Sequence, residues 1–207
     1  NLQKGTYYLK CHPYGGNRGR YEIKWKVAPT RVESVTITGN PKVNAGGSLQ
    51  LRAQILPANA TNQTLKWSSG NTNVATVNAQ TGVVTGKRIG TAYIYAEATD
   101  DSGARASVIV SVGPKKMSKP SVKAKGKKKV KLSWKLQQGA SGYQIQYARK
   151  ASFKGAKSWK FNGGYTKTAM KKMKKKGIWY YRVRAYAYLN GSTVYGDWSK
   201  AKKLKVK

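Results

Sequence analysis

Apolar residues alternate with polar or small ones at a period of two along most of this chain. Val32–Thr38, Ser48–Leu56, Thr91–Thr99 and Ala106–Val112 show it, and the pattern is that of strands with one face in a core and the other in water. Turn signals interrupt it at short intervals: Ala45-Gly46-Gly47-Ser48, Thr81-Gly82 and Asp101-Ser102-Gly103. The last predicts a hairpin turn, since glycine reaches positive φ without steric cost. No window has a helical period. The run Lys171–Lys176 has helical propensity, but its like charges repel one another. Many short strands with turns between them predict an all-β protein of antiparallel sandwiches and not a parallel α/β sheet.

Two proline joints divide the chain, Ala28-Pro29-Thr30 and Gly113-Pro114-Lys115. Proline fixes φ and holds the preceding residue extended, which suits a semi-rigid joint. Three pieces follow: residues 1–29, 30–113 and 114–207. In the first, Gly5–Cys11 and Arg20–Val27 flank Pro13-Tyr14-Gly15-Gly16 as one hairpin. An isolated hairpin is marginal in water, so residues 1–29 read as an orphan β-hairpin that ends a preceding domain. Its edges would need cover from that domain or another chain.

Charge separates the pieces further. The 207 residues hold 41 Lys+Arg against 6 Asp+Glu, a formal net charge of +35. The three pieces carry +5, +3 and +27, and residues 114–207 contain Asp197 as their one acid. Such an excess predicts polyanionic partners. No run of 18 apolar residues is present to cross a bilayer as a helix, and one cysteine makes no internal disulfide.

Chemistry-bearing residues are sparse. Cys11 and His12 are adjacent, so on a strand they point to opposite faces and form no nucleophile–base pair. Glu22, Glu33, Glu97, Asp100, Asp101 and Asp197 are scattered over three pieces, whereas glycoside hydrolysis needs two carboxylates across one cleft. Asp100-Asp101 has too few oxygens for calcium and reads as a turn. Zinc ligands, a phosphate-cradling loop and a Gly-x-Ser-x-Gly elbow are all missing. The expectation is a non-enzyme with no catalytic residue, metal or cofactor.

Three resemblances add to this reading. Leu2-Gln3-Lys4-Gly5-Thr6-Tyr7-Tyr8-Leu9 is similar to the closing strands of jelly-roll domains that follow secreted bacterial peptidases. Residues 31–112 resemble the bacterial immunoglobulin-like domain, group 2. That resemblance is carried in order by Val35-Thr36-Ile37, Ile55-Leu56-Pro57-Ala58-Asn59-Ala60-Thr61, Lys66-Trp67-Ser68-Ser69, Val74-Ala75-Thr76-Val77-Asn78, Gly82-Val83-Val84-Thr85-Gly86 and Gly90-Thr91-Ala92-Tyr93-Ile94. It implies a stalk and adhesion module of surface proteins, with Trp67, Val77, Ile94 and Ile109 spaced to face inward.

Residues 118–207 resemble a Lys-rich fibronectin type III domain of Gram-positive surface proteins. Val130-Lys131-Leu132-Ser133-Trp134 reads as its strand B, Ser141–Tyr147 as strand C, Trp179–Tyr186 as strand F and Ala201–Val206 as strand G. Trp179 stands where that family has a corner tyrosine, and its indole N–H can donate in the tyrosine's place. The fold expected is two tandem Ig-like antiparallel β-sandwiches preceded by the hairpin.

If Trp179, Tyr181, Val183 and Ala185 face inward, Tyr180, Arg182, Arg184 and Tyr186 face solvent beside Gln144 and Gln146 of the neighbouring strand. Aromatic rings interleaved with guanidinium groups and amides suit sugars, acidic chains or protein hot spots. The competing reading is cross-strand pairing on a solvated face. The lysine clusters Lys125–Lys131, Lys171–Lys176 and Lys200–Lys207 supply diffuse attraction, against the simpler reading of a solvated surface.

The function expected is a non-catalytic structural and adhesive section of a secreted bacterial protein, extracellular at the cell surface or wall. Its partner would be an anionic polysaccharide, a teichoic acid or a host glycan. Two alternatives stand beside it: recognition of a host protein such as an immunoglobulin, and the non-catalytic tail of a secreted hydrolase. Nucleic acid would also be attracted by charge, but no nucleic-acid motif is present.

Overall fold

The alternation becomes pairing in the computed structural model, which describes residues 27–207. The hairpin expected over residues 1–29, with Cys11 and His12, lies outside the described residues apart from its last three positions. The described chain holds strands and turns and no helix.

The first sandwich is built from nine strands. One layer runs β2 (Lys42–Asn44), β9 (Arg105–Gly113), β8 (Gly90–Ala98) and β5 (Leu65–Ser69), antiparallel except that β2 is parallel to β9. Facing it, β3 (Ser48–Gln50) pairs with β7 (Val83–Gly86), which pairs with β6 (Ala75–Val77). Strand β1 (Ser34–Ile37) pairs with β4 (Ala53–Leu56), the continuation of β3 after Leu51-Arg52. Ser48–Leu56 is therefore two strands and not one. Its halves serve different partners, and buried Leu51 turns into the core at the break.

Val35, Trp67, Val84, Ile94, Val110 and Val112 fill the space between the layers. Trp67 needs a bare backbone against it: a Cβ on Gly82 would lie 2.8 Å from its Cε2, and Gly82 has φ of +70°. Val77 packs against this core. Ile109 does not. It pairs with exposed Tyr93 on the outer face, while Val108, Val110 and Val112 point inward. At the β8–β9 turn, Asp101 and Gly103 take positive φ, and Asp100 accepts from the N–H groups of Val32 at 2.6 Å and Ser102 at 3.1 Å. These bonds, with that of the Ser102 hydroxyl as the largest influence, hold the Asp100 carboxyl below its ordinary pKa.

In the second sandwich, β10 (Ser121–Ala124), β11 (Lys129–Ser133) and β14 (Thr168–Lys172) form a three-stranded layer. The other layer runs β13 (Lys157–Asn162), β12 (Gly142–Ala148) and β15 (Gly177–Leu189). Beyond β15, one edge is shared by β16 (Ser192–Tyr195) and β17 (Lys202–Val206). Val130, Leu132 and Trp134 point inward to meet Tyr143, Ile145, Tyr181, Val183 and Ala185. The Tyr143 hydroxyl accepts from Gln137 N–H at 2.8 Å and donates to the Gly164 carbonyl at 3.2 Å. Trp179 donates its indole N–H to the Lys175 carbonyl at 3.1 Å, a bond to the chain four residues upstream.

Tyr181 is 1 % exposed, and its hydroxyl has no partner among the described residues. Burial first, then the nearby Tyr147, pushes its pKa far above the usual phenol value of 10.0. An unsatisfied buried hydroxyl costs about 1–3 kcal/mol, so Tyr181→Phe is expected to stabilise this sandwich by about 1 kcal/mol at pH 7 in urea melts. The folded pKa is the raised one, so the phenol's full contribution is present below pH 10 and falls as pH climbs above it. The Phe variant should lose less stability between pH 9 and 11 than the parent.

Candidate functional site

The outer face of the β12–β15 layer carries the residues singled out from the sequence. Strand parity puts Tyr181, Val183 and Ala185 in the core and turns Arg182 and Arg184 outward. Register then sets Gln146 opposite Arg182 and Gln144 opposite Arg184. Arg182 Nε donates to Gln146 Oε1 at 2.7 Å and Arg184 Nε to Gln144 Oε1 at 2.8 Å. Tyr180 is half-buried between Ala148 and Lys203 on the neighbouring strands. Tyr186 is not in solvent. It is 5 % exposed because its ring lies over Gly142, which has no side chain to occupy that place. Its hydroxyl is within hydrogen-bonding reach of the Phe161 carbonyl at 2.9 Å and of Asn162 Oδ1 at 2.6 Å.

The other side of the two arginines is closed by the segment between β16 and β17. Gly196 N–H donates to the Ala185 carbonyl at 3.0 Å, and Ser199 N–H to that of Val183 at 2.9 Å. Ser199 Oγ accepts the Val183 N–H at 3.0 Å, so one serine satisfies both main-chain groups of Val183. Asp197 and Trp198 bulge out between these anchors, and Trp198 falls between the arginines. The Arg182 Cζ is 4.7 Å from the Trp198 ring and 4.1 Å from Phe153; the Arg184 Cζ is 4.3 Å from Trp198 and 3.9 Å from Tyr195. Lys160 continues the stack over Tyr186 at 4.3 Å.

The result is a ladder of rings and cations along β15. Burial lowers the pKa of both guanidinium groups; for Arg184 the neighbouring Arg182 lowers it further while Tyr195 opposes. Ring faces and glutamine oxygens replace the water these cations give up. Both remain half-exposed.

Sequence reasoning missed Trp198, Phe153, Tyr195 and Lys160. One signal was present: residues 114–207 hold three arginines amid many lysines. All three lie over rings, since Arg149 covers Trp179 at 5.3 Å. Elsewhere, a cleft of about 240 Å³ between Lys87, Arg88, Lys115 and Gln137 offers cations and amides but no nucleophile with a base. Among the described residues, no three His, Cys, Asp or Glu side chains cluster to hold a metal, and no helix is long and apolar enough to cross a membrane.

Comparison with known proteins assigns the first sandwich. Residues 31–110 match the bacterial Ig-like domain (group 2). The chain is 40% identical over 87 residues to an Ig-like virion protein of Serratia phage KSP90, covering 42% of this chain and 34% of that protein. It is 36% identical over 89 residues to a 3-O-alpha-D-galactosyl-alpha-L-arabinofuranosidase of Bifidobacterium longum subsp. longum, covering 43% and 8%. It thus spans about a third of the length of one relative and under a tenth of the other. Among solved structures, a cytokine receptor complex superposes with a TM-score of 0.52 at 12% identity over 83% of this chain and 96% of that one. That likeness shows the tandem sandwich fold.

Proposed function

We propose that this chain is a non-catalytic structural and adhesive section of a secreted bacterial surface protein. The Ig-like sandwich is the spacer, and the second sandwich is a cationic module that contacts an anionic cell-wall polymer such as teichoic acid, or an acidic host glycan. The observation that carries this reading is the charge partition: +27 on residues 114–207 against +3 on residues 30–113. Lysine ammonium groups on flexible stems give many weak contacts instead of one shaped pocket. The face bearing Tyr180, Arg182, Arg184, Gln144 and Gln146 adds half-exposed guanidinium groups to that surface, while buried Tyr186 supports it from beneath.

Salt tests the reading. The full chain is expected to sediment with purified Gram-positive walls at low ionic strength and to be released as salt passes roughly 0.2 M, where the Debye length falls below about 8 Å. Walls stripped of teichoic acid should retain little. No sedimentation at low salt overturns the proposal, and retention unchanged at high salt would point instead to a buried aromatic interface.

A second reading has its own support. The arabinofuranosidase relative is matched over only 8% of its length, which supports reading this chain as the non-catalytic tail of a longer secreted hydrolase. The virion relative places a similar module in another setting, as expected where fold and function are separable.

A further inference from the structure

Lysines that are far apart in sequence meet at one end of the second sandwich. Lys129 pairs with Lys172 across β11 and β14. The Lys128 carbonyl accepts the Met173 N–H at 2.7 Å, and Lys128 N–H donates to the Lys207 carbonyl at 3.0 Å. Arg149 donates to the Lys176 carbonyl at 2.6 Å and so pins the loop before β15. All three clusters, around Lys125, Lys174 and Lys205, therefore share one pole with a fastened backbone. The chain enters at the opposite pole, where the carbonyls of Pro114 and Lys115 lie against Gly196. Between Ala187, paired with β16, and Gly177, paired with Val206, β15 runs ten residues, or about 33 Å.

Two features make this pole more than a solvated surface. Lys123 sits directly opposite Lys131, and Lys129 opposite Lys172, on the outer face of the three-stranded layer. Like charges in cross-strand register are destabilising. The one acidic side chain after residue 113 is Asp197, held beside Trp198 part-way along β15, so no acidic side chain of the sandwich offsets these lysines. The pole also lacks the means to read a sugar or a planar anion. Its one arginine, Arg149, is exposed but is held by the Lys176 carbonyl and lies over Trp179, and the other exposed cations here are lysines. Flexible lysine stems suit compact anionic groups spaced along a chain.

We propose that this pole docks a linear polymer of repeating phosphodiesters, whose charges relieve the lysine–lysine repulsion. The inference rests on the reading that the second sandwich contacts an anionic polymer, and it assigns the place and the chemistry of that contact.

The test uses the full chain and poly(glycerol phosphate) as the probe, with affinity measured across a salt series. One variant changes Lys125, Lys127, Lys174 and Lys175 to Gln at the pole. A control of equal charge changes Lys116, Lys119, Lys135 and Lys167 at the entry end, all eight positions being exposed. The pole variant is expected to bind at least about 30-fold more weakly at low salt. Its slope of log K against log salt should flatten by about 3, at roughly 0.7 per lost phosphate contact on a single-stranded polyanion. The control should change affinity less than about 3-fold. Equal losses in both variants overturn the pole while leaving polymer binding intact. No binding of the unaltered chain at low salt removes the underlying reading as well. Equal or tighter pole-dependent binding of a sulfated glycan of matched charge density overturns the phosphodiester assignment.

Discussion

Gly142→Ala is expected to destabilise the second sandwich by about 3 kcal/mol. Gly142 lies in β12 between Asn162 of β13 and Tyr186 of β15. A Cβ there would press on the Phe161 carbonyl oxygen and on Tyr186, whose Cζ would be 2.6 Å away. The first contact is backbone and cannot rotate aside. The second ring is held by its hydroxyl partners, by Lys160 above it and by Tyr195 at 5.8 Å. Relief requires the strands to part or the tyrosine to leave, and either one also ends the hydrogen bonds of the Tyr186 hydroxyl. Urea melts give the measurement. A loss below about 1 kcal/mol would show that the strands absorb the methyl group. The pair Gly142→Ala with Tyr186→Ala should be less destabilised than the sum of the singles, because removing the ring relieves part of the clash.

Trp198→Ala should cost about 2–3 kcal/mol in the same melts. The indole separates two guanidinium groups that protrude from the same face of β15, with ring contacts of 4.7 Å and 4.3 Å. Its loss removes two cation–π contacts at once and the ring between the two guanidinium groups, leaving Arg182 on Phe153 and Arg184 on Tyr195. Arg182→Lys is the more selective probe, since an ammonium keeps the charge but not the planar stack; its expected loss is about 1 kcal/mol. Stability within about 0.5 kcal/mol of the parent for Trp198→Ala would mean that the ladder is a surface ornament. Neither ladder variant removes charge, so both are expected to leave wall binding unchanged, whereas the pole variant removes four charges from the proposed docking surface.

Much of the architecture was legible because strand parity is a local property. Covalent geometry turns successive side chains to opposite faces, so Val130, Leu132 and Trp134, like Tyr181, Val183 and Ala185, declare their inward face without knowledge of any neighbour. Parity misleads where both faces are apolar. In Val108-Ile109-Val110 the alternation carries no contrast, and Ile109 pairs outward with Tyr93. It is silent about breaks such as Leu51-Arg52, where the pattern runs on but the hydrogen-bonding partner changes.

The ring-and-cation ladder and the lysine pole belong to a different level. Trp198 sits in a bulge, outside any period, and reaches Arg182 and Arg184 only because Gly196 and Ser199 anchor to Ala185 and Val183. The residue types were visible beforehand: in residues 114–207, three arginines among many lysines, one acidic side chain and a formal charge of +27. Composition thus establishes how much charge the protein presents, and alternation establishes which side chains enter a core. Where the charge gathers depends on pairings between segments tens of residues apart, Lys129 with Lys172 and Lys128 with Lys207. Such pairings come from the closure of the two layers over a shared core, which no local stretch of sequence encodes.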